Sequence, residues 1–403
     1  MMLLLFVIII VLFLIVSLYI KIKYRFWTLQ PVFHKYNLLY RIGKKMRIIT
    51  ETVTMNRYVN IIDIKTQKVS EITKTERERI VDFIKTHLVQ TNIFTYSPKE
   101  INIFPYLEYS NHCSCISIYN RPTYAVNNNS IQPIKEYIGL LTGRPVNVII
   151  KKNRVATYYL DNLSIDTGYK ENDTTCKLIQ THIYNTLKIN NKIKTFLFKH
   201  YNKPPILKSL TSFYIVGYDI TKLPTPKTIH ASYSFIELGT LHFSILHSFV
   251  QNQIKLYDCV IIPELSNIYS LIKTKNIILY GSIKDGELIA LYIFKNTAMH
   301  LHQNDEKSTD DNKYENPNTL LCICSLIDIR HTNTLYAGFL KAVYKCVEKL
   351  NIKYIFLETV TNNKNINNFL KKYSPSIVTK KGHYVLYNYI SPYINPERCF
   401  LLL

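Results

Sequence analysis

The first candidate for chemistry is a polar turn that joins a predicted strand to a predicted helix. The strand covers Tyr158 to Ile165, the turn reads DTGYKEND, and the helix begins at Thr174 or Thr175. Free backbone N–H groups at the start of a helix suit a pyrophosphate or a developing oxyanion. Cys176 lies at the same helix start, where a helix dipole lowers the pKa of a thiol. This junction predicts an anion-binding site, but many α/β proteins contain a similar one.

Motifs of the common enzyme classes are absent from the sequence. It has no Gly-x-Gly-x-x-Gly, P-loop, His-Glu-x-x-His or Gly-x-Ser-x-Gly element, so the usual nucleotide-binding, zinc-protease and serine-hydrolase classes have no support. The eight cysteines, including Cys113-x-Cys115 and Cys322-x-Cys324, lack zinc-site spacing. We interpret them as reduced, mostly buried thiols, and we expect no metal and no tightly bound cofactor.

The elements that would position this turn alternate between helical and strand patterns. Apolar spacing predicts a helix within SEITKTERERIVDFIKTHLV, with Thr73 or Thr75 as its cap, and further helices at TTCKLIQTHIYNTL and YAGFLKAVYKCVEKL. Strands are predicted at YIGLLTGRPVNVII, RVATYYLDNLSI, IKYIFLETV and GHYVLYNYI, and a hairpin with a turn at Lys284 to Gly286. The polar stretch HQNDEKSTDDNKYENPNT predicts an exposed loop. Two similar α+β halves result, divided near Thr221 to Lys227.

The first residues read as a membrane anchor. Met2 to Ile20 is an uncharged apolar run of the length that crosses a bilayer as a helix. A cleaved signal peptide would have basic residues before the run and small residues at a cleavage site, and neither is present. The basic residues that follow the run predict that the body of the protein faces the cytosol. These are Lys21, Lys23, Arg25 and Lys35.

The formal net charge of +22 fits nucleic acid, an anionic membrane surface or acidic ligands. Lysine and arginine are scattered among Asn, Ile and Tyr, a composition that would suit the AT-rich genome of a large DNA virus. We therefore expect no nucleic-acid binding. For a membrane-tethered body, the charge favours contact with anionic headgroups.

Five segments, in order, resemble one family. YRFWTLQPV is similar to the Tyr-Lys-Phe-Trp-x-Thr-Gln-Pro-Val segment of the N-myristoyltransferases, FTYSPKEI to their Phe-x-Tyr-Ser-Pro-Glu element, and YIGLLTGRPVNVII to their Val-Gly-Phe-Ile-Ser-x-Ile-Pro strands. DNLSIDTGYKENDTTCKLI resembles their Asn-Phe-Leu-Cys-Val-His segment and the helix after it. HYVLYNYISPYINPERCFLLL resembles the family's C-terminal segment, and the matches span Tyr24 to Leu403.

The resemblance implies an α+β fold. It consists of two fused GNAT-like (acyl-CoA N-acyltransferase) halves around a mixed, strongly bent sheet, preceded by one transmembrane helix. The implied divisions are residues 2–20 for the anchor, 21–220 for the half that binds acyl-CoA, and 221–403 for the half that binds the acceptor peptide. We expect a monomer.

The resemblance also implies a mechanism without a covalent enzyme intermediate. Its oxyanion donors would be the backbone N–H groups of Asn162 and Leu163, and its base would be the C-terminal carboxylate of Leu403. The apolar terminal leucines are then expected to be threaded into the core, since a frayed end would leave an exposed apolar patch.

Myristoyl-CoA is the co-substrate that the resemblance implies. The residues carried over to its binding are Tyr24, Arg25, Phe26, Trp27, Leu163, Ser164, Ile165, Lys170, Glu171, Asn172, Asp173, Thr174 and Thr175. Where the family has Arg-x-Lys-Arg, this chain has Lys170, Glu171, Asn172 and Asp173, which weakens charge pairing with phosphate. Cys176 takes the place of a family proline, which argues against a nucleophile there.

The acceptor would be a protein N-terminus that begins with glycine. The residues carried over are Phe94, Tyr96, Tyr214, Tyr387 and Asn388, although aromatic residues in strands are often core and Tyr387 and Asn388 are equally well structural. The family's Tyr-Thr-Ala-Gly element falls near Lys199 here, and its acidic run is LVQTN.

The sequence thus predicts a membrane-anchored, cytosol-facing N-acyltransferase that moves a long-chain acyl group to an N-terminal glycine. Two alternatives remain open. One is an inactive relative that serves as a binding or structural module, and the other is an acyltransferase that acts on another amine, such as lysine.

Overall fold

The computed structural model describes residues 2–35, 46–52, 55–89, 91, 93–127, 130–169, 172–201, 206–226, 232–302 and 317–403. Lys170, Glu171 and most of the predicted polar loop 302–319 lie outside the described residues.

The chain begins with an exposed apolar helix, α1 (Met2–Lys23), followed after Tyr24 by the short helix α2 (Arg25–Leu29). Residues 4–23 have a mean hydropathy of 3.0, so this helix is long and apolar enough to cross a membrane, as a signal sequence also is. The Tyr24 N–H donates to the Ile20 carbonyl at 2.9 Å and the Thr28 N–H to the Tyr24 carbonyl at 3.0 Å. The helical pattern therefore continues across the joint, and no flexible linker separates α1 from the body.

The first half alternates strands and helices as the sequence predicted. Its strands are β1 (Arg47–Ile48), β2 (Ile64–Lys68), β3 (Phe94–Tyr96), β4 (Cys115–Asn127), β5 (Ser130–Ile150), β6 (Asn153–Ile165), β7 (Thr195–Tyr201) and β8 (Thr211–Asp219). Its helices are α3 (Lys74–His87), α4 (Glu100–Leu107) and α5 (Asn172–Ile189). The helix expected from Thr174 or Thr175 begins slightly earlier, at Asn172.

The second half follows the same order. Its strands are β9 (Ser234–Leu238), β10 (Cys259–Ile262), β11 (Ile277–Lys284), β12 (Glu287–Asn296), β13 (Met299–Leu301), β14 (Thr319–Ile327), β15 (Tyr354–Glu358), β16 (Val378–Tyr387), β17 (Tyr389–Ile390) and β18 (Cys399–Leu401). Its helices are α6 (Phe243–Ile254), α7 (Leu265–Lys273), α8 (Leu335–Leu350) and α9 (Asn363–Leu370).

Fourteen strands of the described residues form one mixed sheet. Its order is β18-β10-β5-β6-β7-β16-β8-β15-β14-β12-β11-β9, and β2 and β4 branch from β5. Each half contains a parallel pair joined by one helix, β6-α5-β7 and β14-α8-β15. Strands of the two halves are interleaved, because β16 of the second half lies between β7 and β8 of the first half, and β8 also pairs with β15.

Local sequence signals account for several boundaries. The Thr73 hydroxyl accepts a hydrogen bond from the Glu76 N–H at the start of α3, which is a side-chain N-cap. Asp285 and Gly286 have φ angles of 51° and 80° and form the two-residue turn between β11 and β12. A tight hairpin needs positive φ at both positions, and Asp-Gly is a favoured pair there. The predicted hairpin is therefore confirmed.

The end of the chain is buried. Strand β18 pairs in parallel with β10, and the Leu402 N–H donates to the Ile261 carbonyl at 2.8 Å. Leu401, Leu402 and Leu403 are 0%, 5% and 6% exposed and belong to the largest apolar cluster. The sequence predicted this threaded tail, and its burial is confirmed.

Candidate functional site

A bulge interrupts strand β6 at the predicted oxyanion position. The pairing with β5 passes from Thr142 opposite Asp161 to Leu140 opposite Ser164, so Asn162 and Leu163 face a single residue of β5. Asn162 has a φ of 51°, a left-handed conformation that asparagine tolerates better than most residues. A bulge disrupts the ladder locally and so leaves main-chain groups unpaired with the neighbouring strand. The Asn162 N–H donates instead to the Asp161 carboxylate at 2.9 Å.

Strands β6 and β7 stop pairing beside this bulge. Their register runs from Thr157–Thr195 only as far as Leu160–Phe198, although both strands continue further. The indole of Trp27 stacks on Phe198 next to this point, with ring centroids 5.6 Å apart. Two parallel strands that separate next to unpaired main-chain groups form a wedge, which is a shape that can admit a linear thioester.

A small cavity lies on the other side of the bulge, where the halves meet. Its volume is about 50 Å³. It is lined from the first half by Tyr96, Asn102, Ile103, Tyr106, Leu107, Arg144, Asp161 and Asn162, and from the second half by Lys295, Asn296, Thr297 and Ala298. The cavity therefore combines a possible oxyanion donor with two cations and one acid.

The cations of this cavity are poorly compensated. Arg144 is 1% exposed, its guanidinium lies 5.3 Å from the Tyr106 ring and 5.2 Å from the Tyr159 ring, and none of its nitrogens has a hydrogen-bond partner within the described residues. Lys295 is half-buried and lines the cavity, and its ammonium donates to the Leu403 carbonyl oxygen at 3.4 Å. Enclosure by protein lowers the pKa of Lys295 to about 8, although Asp161 opposes this shift.

The lowered pKa of Lys295 predicts a pH-dependent stability. The folded pKa of about 8 lies below the ordinary value of 10.5, so the unfolded chain binds more protons between these values and the free energy of unfolding rises with pH there. Below pH 8 both states are protonated, and burial of the charged form then costs the fold at most about 3 kcal/mol, a cost that the Leu403 carboxylate beside the ammonium reduces. Lys295→Met is expected to be more stable than wild type by up to that amount at pH 7, with the difference vanishing by pH 10.5. Urea unfolding across this range tests it, with the exposed Lys85→Met as control; a pH-independent difference would contradict it.

A second charged pair joins the halves next to this site. The Lys199 ammonium of β7 lies 2.5 Å from the Glu358 carboxylate of β15, and their side chains are 14% and 3% exposed. Burial opposes the charge on Lys199, but Glu358 and neighbouring tyrosines together raise the pKa of Lys199 well above its ordinary value. Lys199 therefore stays charged across the ordinary pH range.

The residues next to the apolar helix that the resemblance assigns to acyl-CoA binding differ in their burial. Phe26 is buried, with its ring edge-on to Trp27 at 4.8 Å and to Tyr58 at 5.2 Å, so it belongs to the core. Tyr24 and Trp27 are half-buried and Arg25 is exposed, and these three are accessible to a ligand.

The helix start of α5 carries an acid where the family has cations. The Asp173 carboxylate forms an ion pair with Lys177 at 2.6 Å, and Thr174 and Thr175 are half-buried beside it. Ser164 and Ile165 are buried behind the bulge, and the Ser164 hydroxyl donates to the Asn162 carbonyl at 3.2 Å. Burial, together with Asp173, raises the pKa of the Cys176 thiol to about 11, so the thiol stays protonated.

The residues that the resemblance assigns to acceptor binding do not all lie at the cavity. Tyr96 lines the cavity, whereas Tyr214 is 46% exposed and does not contribute to the cavity wall. Phe94 packs against Phe356 with ring centroids 5.9 Å apart.

Tyr387 and Asn388 are both buried, and their polar atoms bond to the protein itself. The Tyr387 hydroxyl donates to the Gln30 side chain at 2.9 Å, and the Asn388 amide donates to the carbonyls of Thr50 and Lys194. They brace the segments around residues 30 and 50, which is the structural alternative that the sequence left open.

Sequence reasoning missed Arg144, Asp161 and Lys295. A usable signal was present, because Arg144 is a lone cation within the otherwise uncharged strand segment GLLTGRPVNVII. A charge inside a buried strand is rare unless it is paired or functional. Nothing in the sequence, however, places these three residues together.

The repeated halves, the bulged strand and the wedge beside it define an α+β fold of the tandem GNAT class. Saccharomyces cerevisiae N-myristoyltransferase with bound myristoyl-CoA is similar in structure, with TM-scores of 0.67 and 0.69 in two crystal structures and 12% and 13% identity. The alignments cover 92% and 93% of this chain and 94% and 90% of the yeast chains. A tandem GNAT protein from the clavulanic acid biosynthesis pathway gives a TM-score of 0.52 at 10% identity and covers 82% of this chain and 100% of its own. No protein-family model and no curated protein sequence matches the chain.

Proposed function

We propose that this protein is a membrane-anchored N-acyltransferase that transfers a long-chain acyl group, such as myristoyl, from acyl-CoA to the amine of an N-terminal glycine. The observation that carries the proposal is the bulge of β6, which lies beside the wedge between β6 and β7 and beside the small cavity that both halves line. The fold is shared with an enzyme whose structure was solved with myristoyl-CoA. The acyl-CoA would lie in the wedge, with Tyr24 and Trp27 against its nucleotide part. The acceptor amine would enter through the cavity.

In this proposal the acceptor nitrogen attacks the thioester carbonyl carbon. A C–N bond forms, the C–S bond breaks, and CoA leaves as a thiolate that takes up a proton. The Leu163 N–H and the Asn162 N–H stabilise the developing oxyanion. The Asn162 N–H is bound by Asp161 in the free protein, so we infer that an incoming ammonium group draws the Asp161 carboxylate away and releases this donor.

The proton of the acceptor ammonium passes to the main-chain carboxylate of Leu403. Leu403 is buried, and its main-chain oxygen accepts a hydrogen bond from Lys295, which lines the cavity from the second half. No side chain has to supply the base, because a carboxylate within hydrogen-bond reach of the amine is sufficient.

Helix α1 would hold this site at a membrane, with the body in the cytosol. Ile20 and Tyr24 pack against the apolar cluster of the first half, and Lys21, Lys23 and Arg25 follow the apolar run. A single myristoyl chain binds membranes only marginally, so a product made at the bilayer surface is captured more readily than one made in solution.

The proposed function is tested with the full chain in phospholipid vesicles, labelled myristoyl-CoA and peptides that begin with glycine. Transfer to the peptide amine is expected, and N-acetylation of the same peptides should abolish it. Transfer to lysine side chains instead would favour the alternative acceptor. Binding of myristoyl-CoA without transfer to any amine would leave a binding module, a role consistent with the occupied Asn162 N–H.

Removal of the acid at the start of α5 is expected to strengthen the binding of CoA. Asp173 is exposed and would face the pyrophosphate, so Asp173→Asn removes a repulsion and releases Lys177 from its ion pair. We expect CoA to bind about two- to fivefold more tightly, the range that a single charge at a helix N-terminus typically produces. Calorimetric titration with CoA measures this, and Asp82→Asn on α3 is the control. Unchanged or weaker binding would place the pyrophosphate elsewhere.

A further inference from the structure

Arg144 is a buried cation that the proposed transfer does not use. It lies on β5 opposite Tyr159, lines the cavity, and is 1% exposed. All three guanidinium nitrogens lack a hydrogen-bond partner within the described residues. A charged group in this position is strongly destabilising unless an opposite charge joins it, because it has lost its water. Its nearest recorded contacts are the faces of Tyr106 and Tyr159, which attract a cation but accept no full hydrogen bond.

Of the two cations that line the cavity, Lys295 lies beside the main-chain carboxylate of Leu403, and Arg144 has no hydrogen-bond partner among the described residues. Lys199 and Glu358 neutralise each other at 2.5 Å. Arg144 and Lys295 then face Asp161 as the acid of the cavity wall, and one oxygen of Asp161 already accepts from the Asn162 N–H. Lys295 is directed toward the Leu403 carbonyl oxygen. An anionic group in the cavity would meet Arg144 without competing for a partner.

The size of the cavity limits what this group can be. About 50 Å³ accommodates roughly three to five water-sized groups, since each needs about 10–15 Å³. This is enough for a carboxylate on a short chain and too little for several amino-acid residues. A planar guanidinium matches a carboxylate with two parallel hydrogen bonds, whereas a lysine offers only a point charge.

We propose that Arg144 binds a carboxylate of the acceptor, a few bonds from the amine that is acylated. This inference rests on the proposed function, because the cavity is the acceptor site only if acyl transfer occurs beside it. The ammonium of the acceptor lies toward Asp161 and the carboxylate toward Arg144, so the cavity recognises both charges of its substrate. The carboxylate comes either from an acidic second residue of a glycine-starting protein or from a free amino acid.

Paired ligands that differ only in this carboxylate test the inference by binding. The full chain in detergent micelles is saturated with a non-hydrolysable thioether analogue of myristoyl-CoA and titrated calorimetrically. One pair is an octapeptide that begins Gly-Glu and its Gly-Gln counterpart, and the other is glycine and glycinamide. At least tenfold tighter binding of the carboxylate member is expected in one pair, and which pair responds identifies the source of the carboxylate.

Variants assign the effect to Arg144. In Arg144→Met the preference should fall below twofold while the neutral ligand binds as before, and Arg144→Lys should retain part of the preference. Arg154→Met, at an exposed position of β6, should behave as wild type. Thermal unfolding checks that each variant is folded.

Three results overturn the inference. Equal affinities in both pairs, including no detectable binding of either member, would exclude a carboxylate site. A preference that survives in Arg144→Met would assign recognition elsewhere, and uniform loss of binding to all ligands would make Arg144 a partner of the Leu403 carboxylate. A carboxylate preference without transfer from authentic myristoyl-CoA would refute the proposed reaction and leave the Arg144 site standing.

Discussion

Adding three alanines after Leu403 is expected to reduce acyl transfer at least 100-fold while myristoyl-CoA still binds. The addition converts the terminal carboxylate into a neutral amide, and loss of a positioned base costs about 10²–10⁴ in rate. Leu403 is only 6% exposed, so the added residues must also displace the tail from its position beside Lys295. Transfer of labelled myristate and calorimetry with myristoyl-CoA separate the chemical step from binding.

Leu403→Ala is the matched control for this extension. It removes apolar side-chain volume but keeps the carboxylate, so transfer should fall far less than in the extended chain. Wild-type transfer by the extended chain would eliminate Leu403 as the base. Asp161 would then become the leading candidate, because its carboxylate lines the same cavity.

Removing Glu358 is expected to produce the largest loss of stability. Glu358→Leu leaves the Lys199 ammonium buried without its counter-charge, and breaking a buried pair in this way costs about 3–5 kcal/mol. The double variant Lys199→Met/Glu358→Leu should recover most of this loss, because neither charge then has to be desolvated. Urea unfolding of wild type, both single variants and the double variant completes the cycle.

The exposed pair Lys345–Glu348, 2.7 Å apart, provides the comparison for this cycle. Glu348→Leu should change the free energy of unfolding by at most about 1 kcal/mol, because a solvated pair contributes little. A loss of similar size in Glu358→Leu would mean that water reaches Lys199, and the pair would then not be a rigid link between the halves.

Much of the fold follows from local signals. Ile80, Phe83 and Ile84 occupy one face of α3 at helical spacing and are all buried, and the Asp285–Gly286 turn fixes its hairpin. The tandem arrangement followed from the order of resembling segments, and the structural similarity supports it. The long extension of the β4–β5 hairpin was not expected, because its first strand has no clear alternation.

The site was less predictable, since topology rather than sequence neighbourhood assembles it. Arg144, Asp161 and Lys295 come from β5, β6 and β12, and only the folded sheet brings their side chains to one cavity. The roles that the resemblance implies for Phe26 and Asn388 stay predictions, and the folded structure gives both residues other contacts. Both lie in resembling segments, but packing and internal hydrogen bonds occupy their side chains.

The interleaving of strands from the two halves has a consequence for how the chain folds. Strand β7 pairs with β16, and β8 pairs with β15. The strands of the first half therefore have all their hydrogen-bonded neighbours only when the second half is present. Contacts between residues far apart in sequence slow folding, and a partly formed sheet exposes unpaired strand edges until its remaining strands are added. The first half alone would therefore have an open edge at β7, and β18 joins the sheet through its pairing with β10. Completion of the sheet, and assembly of the cavity that lies in it, therefore require both halves.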